Sequence, residues 1–239
     1  SHSSAQGIQN ALMNNLPAQR GSGRECSAGD GGRYAGTYYC IFINRKFTLN
    51  ICNGGIFIMK ILIASDIHGS AEYAEQFLEA VRSEEPDKIL LLGDLLYHGP
   101  RNALPEDYDT KRTMEILNGL RDRIIAVRGN CDAEVDQMVL DFPLMNTYEM
   151  IEADGLKMFA THGHVYSPGN PPPFVEFDVL LNGHTHISAL DNMGDYYYIN
   201  PGSVSIPKGG TTNSFIIYEN REFSLRELET CDEIDNIVL

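Results

Sequence analysis

From Met59 onward the chain repeats one device: an apolar run of strand length that stops on a polar cluster. KILIAS at 60–65 leads into Asp66-Ile67-His68-Gly69, and KILLL at 88–92 leads into Gly93-Asp94. The run at 124–127 precedes Gly129-Asn130-Cys131-Asp132, with Arg128 between them. The run at 156–161 meets Thr161-His162-Gly163-His164, and the run at 179–181 is followed by Gly183-His184-Thr185-His186. Between the first three runs, apolar residues recur at helical spacing. Ala71, Ala74, Phe77, Leu78 and Val81 predict a helix over 70–83, and Met114, Leu117 and Leu120 predict another over 109–120. Continuous apolar strands alternating with helices require a sheet covered by helices. Beyond 147 the pattern turns to hairpins. Asp154-Gly155 separates 147–153 from 156–161, and the pairs 188–191/196–199 and 214–218/222–228 follow. The expected fold class is α/β, with two packed mixed β-sheets flanked by helices in an α/β/β/α sandwich.

Residues 59–239 have the length of one domain. Residues 1–58 read differently: 1–33 are rich in Gly, Ser, Asn and Gln without periodicity, and the apolar pieces of 34–58 lead nowhere recognisable. They are expected to be an N-terminal extension, either disordered or a leader translated from a start codon assigned too early. Gly54-Gly55 ahead of Met59 is compatible with a ribosome-binding sequence in the underlying codons.

The formal net charge of −15 argues against a long nucleic acid or an anionic membrane as partner. A small phosphorylated substrate stays compatible, because bound metal reverses the local sign. Five scattered cysteines without a CxxC pair speak against a disulfide framework or a zinc ribbon, and point to a reducing cytoplasm. No apolar run reaches transmembrane length. A homo-oligomer is compatible with all of this.

Carboxylate, imidazole and amide oxygen are the donors of a hard-to-borderline divalent metal site. In α/β architectures ligands bind beyond the carboxyl ends of strands, where all five clusters fall. In Asp66-Ile67-His68, and again in His184-Thr185-His186, an extended i, i+2 spacing would project two side chains from one side. Each cluster alone has a plainer explanation: a turn, a surface histidine, or Asn130 or Asp132 capping a helix. Their order and shared position at strand ends carry the metal reading.

The ordered set Asp-x-His, Gly-Asp, Gly-Asn-Cys-Asp, His and Gly-His-x-His resembles the calcineurin-like metallophosphoesterase superfamily, with its metallo-dependent phosphatase-like fold. The segments 98–105, 128–132 and 200–208 are similar to those of the small bacterial YfcE-type phosphodiesterases. The resemblance spans 59–239. It implies a metal-dependent phosphodiesterase hydrolysing small phosphodiesters by attack of a metal-bridging hydroxide. Two divalent ions are implied, Mn²⁺ by family habit, with Zn²⁺, Ni²⁺ or Fe also acceptable. Asp66, His68 and His186 would hold one ion, Asn130, His162 and His184 the other, and Asp94 would bridge them. Many members carry His where this chain has Cys131, and a thiol is a poor proton donor. Esters with activated aryl leaving groups should therefore react best and alkyl monoesters poorly, unless His164 or His98 takes that role. Arg101 and Arg128 are candidate phosphate contacts. The alternatives are a phosphomonoesterase or nucleotidase on the same fold, and, with less support, a nuclease or a catalytically silent binding scaffold.

Overall fold

The computed structural model describes residues 59–239; the extension expected at 1–58 lies outside the described residues. β1 (Ile61–Ala64), β2 (Lys88–Leu91) and β3 (Ile124–Ala126) pair in parallel, because α1 (Ala71–Glu84) and α2 (Thr110–Gly119) supply the crossovers. Both helices start on capping side chains: Ser70 accepts from the Tyr73 N–H and Asp109 from the Arg112 N–H. A 3₁₀ turn, Arg121–Arg123, leads into β3, and the short helix α3 (Glu134–Gln137) follows it.

The second half supplies hairpins. β4 (Tyr148–Ala153) and β5 (Leu156–Thr161) pair antiparallel across Asp154 and Gly155, both at positive φ. β6 (Val179–Leu181) lies parallel to β5 on one side and to β8 (Tyr197–Pro201) on the other, and β7 (Ser188–Asn192) pairs antiparallel with β8. β9 (Ser214–Glu219) returns to β1 and carries β10 (Glu222–Glu227) and β11 (Glu233–Val238) beside it. The result is two mixed sheets, ordered β11-β10-β9-β1-β2-β3 and β4-β5-β6-β8-β7. Strand alternation sorts the core. Ile61, Ile63, Leu90, Leu92, Met158, Leu181, Ile199 and Ile216 fill the space between the sheets. Leu62, Ala64, Ile89, Leu91, Phe215 and Ile217 meet Phe77, Val81, Ile116 and Leu117 of the helices. The buried Tyr218 hydroxyl donates to Ala153 O at 3.2 Å and Asp154 Oδ2 at 2.8 Å, tying the first sheet to the β4–β5 turn.

The two packed mixed sheets are as expected, and two details of the sandwich go beyond that expectation. Its helical cover, among the described residues, is on the six-stranded sheet. The outer residues of the other sheet, Phe159, Leu180 and Tyr198, are covered by Tyr166, Val175 and Phe177 from a helix-free loop. Aromatic side chains such as Tyr166 and Phe177 bury large apolar areas, so this loop covers the sheet without a helix. The edge strand β11 was not foreseen either: its side chains are mostly exposed and lack the apolar alternation that marks a half-buried strand.

Candidate metal centre

The five polar clusters converge beyond the C-terminal ends of β1, β2, β3, β5 and β6. Around Asp66, the carboxylate Oδ1 faces Nε2 of His186 at 3.3 Å and Nε2 of His68 at 3.5 Å, and the two ring nitrogens lie 3.3 Å apart. Each ring already spends its other nitrogen on a backbone carbonyl: His68 Nδ1 donates to Tyr97 O at 2.8 Å, and His186 Nδ1 to Ile206 O at 2.6 Å. Their Nε2 lone pairs are thereby turned toward each other and toward the carboxylate. Asp66 Oδ1 is buried and receives no hydrogen bond.

A second group repeats the arrangement. His162 Nδ1 donates to Leu92 O at 2.6 Å, leaving Nε2 at 3.1 Å from Asn130 Oδ1, 3.2 Å from His184 Nδ1 and 3.3 Å from Asp94 Oδ2. Asp94 Oδ2 is also 3.7 Å from His68 Nε2, so Asp94 stands between the groups. Its Oδ1 accepts the Cys131 N–H at 2.7 Å. Acceptors crowded this closely repel unless cations sit among them. The donor set, with its orphaned carboxylate oxygen and carbonyl-locked imidazoles, fits divalent metal.

Electrostatics say the same. Burial alone would raise the Asp66 carboxyl, but His162, His186 and His68 hold it well below the ordinary carboxylate range. Burial also opposes a charged His162, yet Asp66 and Asp94 outweigh it and push that imidazole up to about 9. The carboxylate pair thus demands positive charge in this pocket, from protons or from metal. His184 and His164 are lowered, by burial first and then by His162.

The expected extended i, i+2 geometry is corrected. Asp66, His68, Asp94, His184 and His186 all have positive φ, between 51° and 66°. Left-handed turns, not strand pleating, aim these side chains inward. Each such residue costs of order 1 kcal/mol, strain that persists only where surrounding contacts enforce it. The space is equally tight. A side chain at Gly129 would collide with Asp94, and one at Gly183 with Ser65 and Asp66.

Two supports lay beyond the sequence reading. Asp132 does not cap the following helix, whose N-cap is Ala133. Its buried carboxylate instead accepts the N–H groups of Asp94 at 2.8 Å, Gly129 at 2.7 Å and Leu95 at 2.9 Å, clamping two site loops together. Ser203 and Ser205 both donate to Asp66 O, at 2.7 and 3.2 Å. Their only advance signal was membership in the polar segments themselves.

The open side of the centre is a cavity of about 280 Å³ bordered by Asp94, Asn130, Cys131, His184 and His186, with Arg101 and Lys208 at its edge. Cys131 faces it with a thiol that burial, reinforced by Asp94, pushes up to about 12. Arg128 and the exposed His164 border an adjoining cavity of about 270 Å³, which shares Asn130 with the first. Arg128 is already engaged, donating from Nε to Asp132 O at 3.1 Å and lying 3.5 Å from Glu134. His98 is not a rim residue: its ring packs edge-on against Tyr97 and Tyr108.

Among the described residues, no helix is long and apolar enough to cross a membrane. Residues 59–222 match the calcineurin-like phosphoesterase superfamily domain. The chain is 45% identical over 168 residues to phosphodiesterase YfcE of Escherichia coli K12, covering 70% of this chain and 91% of that protein. The solved structure of Yfce, described as a phosphoesterase from E. coli, superposes with a TM-score of 0.72 at 43% identity, covering 75% and 99% of the two chains. Vacuolar Protein Sorting 29 from Cryptosporidium parvum shares the fold alone, with a TM-score of 0.55 and 16% identity over 77% of this chain and all of that one.

Proposed function

The chain belongs to the calcineurin-like phosphoesterase superfamily, a metal-dependent family, and from that premise we propose that it is a two-metal phosphodiesterase of small substrates. What carries the reading is the pair of carboxylate, imidazole and amide clusters joined at Asp94. Asp66, His68 and His186 would hold one ion, and Asn130, His162 and His184 the other, with Asp94 shared. The mixed carboxylate, imidazole and amide set suits Mn²⁺, and Zn²⁺, Ni²⁺ or Fe would also be accepted. When bound, the ions would supply an activated water and offset charge on the phosphoryl oxygens.

The chain's own groups set the rest. The carbonyls of Tyr97, Leu92 and Ile206 lock the imidazole tautomers, so that ligand nitrogens face inward without searching. Arg101, at the cavity edge, offers a guanidinium to phosphate oxygens. Arg128 braces Asp132 first, and contacts substrate only from the neighbouring cavity. Cys131 offers a departing oxygen only a weakly donating thiol, in place of the imidazole that many family members carry there. Diesters with good leaving groups should accordingly outrun alkyl monoesters, unless His164, whose ring lies 5.4 Å from that of His162, assists from the adjoining cavity. The free thiols Cys131 and Cys231 suit a reducing cytoplasmic setting. Residues 59–239 would act as one domain.

The test is a panel of mono- and diesters with metal-free protein titrated separately with Mn²⁺, Ni²⁺, Zn²⁺ and Mg²⁺. Metal-dependent hydrolysis with a diester-to-monoester rate ratio above one is expected; a ratio below one overturns the diesterase reading.

A further inference from the structure

A larger cavity, about 450 Å³, opens beside the metal pocket. Its walls differ in kind: Leu96, Tyr97, Met114, Val135 and Val139 make them largely apolar, with Lys111 at the border. Cys131 lines both cavities, so the two neighbour each other at that residue. Tyr97 belongs to both sides as well. Its carbonyl orients His68, and the residue also lines the apolar cavity. Val135, Val139 and Tyr97 are 61%, 41% and 42% exposed, a cluster of apolar surface that water does not favour. The volume falls in the range of small-molecule sites, which combine apolar walls with a few polar anchors.

The metal pocket is lined mainly by polar groups and offers an apolar substituent little apolar wall. Resting on the phosphodiesterase reading, we propose that the apolar cavity beyond Cys131 receives one ester substituent of the substrate, and selects phosphodiesters bearing an aryl or similarly bulky apolar group. The phosphorus sits over Asp94 and Asn130, and the substituent passes Cys131 into the space between Leu96, Met114 and Val139. A thiol suits that passage. It is small, weakly polar, and lets an apolar group slide by without an unpaired hydrogen bond, where a larger imidazole would project into the opening.

Titration calorimetry of the Mn²⁺-loaded chain tests this with three non-hydrolysable probes: orthophosphate, methylphosphonate and phenylphosphonate. Phenylphosphonate is expected to bind about tenfold more tightly than methylphosphonate, the effect of burying most of a ring. Its binding should also carry a more negative heat-capacity change. Val135→Asp and Val139→Asp, made separately at exposed positions, should each reduce that preference to under threefold. Equal affinities for the two phosphonates in the wild-type chain, or a full preference retained in both variants, would overturn the subsite. Failure of all three probes to bind, together with no diester hydrolysis, would instead bring down the phosphodiesterase reading beneath it.

Discussion

The space between the sheets and the metal centre are both buried, and they are built on opposite terms. Between the sheets, Leu90, Leu181, Ile199 and their neighbours stand at or near zero exposure in ordinary strand conformations. Every contact there favours the folded chain. A few residues further along the same strands, Asp66, His68, Asp94 and His186 are just as buried but polar, crowded acceptor against acceptor, and held at positive φ. The first region stabilises the fold and does no chemistry. The second costs stability and is arranged for it, with the clamp at Asp132 and the carbonyl-locked imidazoles resisting its relaxation. The candidate site holds strain and unsatisfied charge, and the core offsets their cost.

That contrast can be broken by mutation. Asp94→Asn should lower metal-dependent diesterase activity on the order of 10³-fold, beyond the ~10–100-fold typical of residues that merely support a metal ligand. It should leave the metal-free unfolding free energy within about 1 kcal/mol; a large loss of stability would mean the site is part of the structural core. Leu181→Ala should do the reverse, costing about 2–5 kcal/mol in chemical denaturation while the folded fraction keeps its metal affinity. Supplying Mn²⁺ at a hundredfold excess over its dissociation constant should stabilise the wild-type chain by about 2.7 kcal/mol for each ion bound, read as a rise in melting temperature. Asp66→Asn should shrink that increment. Cys131→His should raise monoester turnover relative to diester turnover, and an unchanged ratio would assign leaving-group assistance to His164. The smallest effect belongs to Tyr218→Phe, which removes one hydroxyl from between the sheets and should cost about 1 kcal/mol without altering activity.

Much of the six-stranded side was legible from local pattern. β1 to β3 follow unbroken apolar runs, and the helical spacing of Ala74, Phe77 and Val81, and of Met114 and Leu117, announces the helices between them. Asp154-Gly155 announces its hairpin, because few residue pairs tolerate two consecutive positive φ values. Where side chains neither alternate nor bury, as in β11, there was nothing local to read. The aromatic cover over Phe159 and Leu180 was equally hidden, since a loop folded onto a sheet has no period.

The sequence by itself determined which atoms are on offer. Carboxylates, imidazoles and one amide stand at the ends of apolar runs, and the physics of strand ends brings such clusters to one rim. Only the tertiary structure decided how they meet. His68 and His186 come within 3.3 Å across 118 positions of chain. Asp94 takes its place between the two groups, and left-handed turns replace the extended geometry that spacing alone suggested. Cys131 acquires an apolar neighbour cavity on one side and the metal pocket on the other. These are relations between distant segments. They are fixed by how two sheets pack and by what their loops must avoid, and no local pattern encodes them.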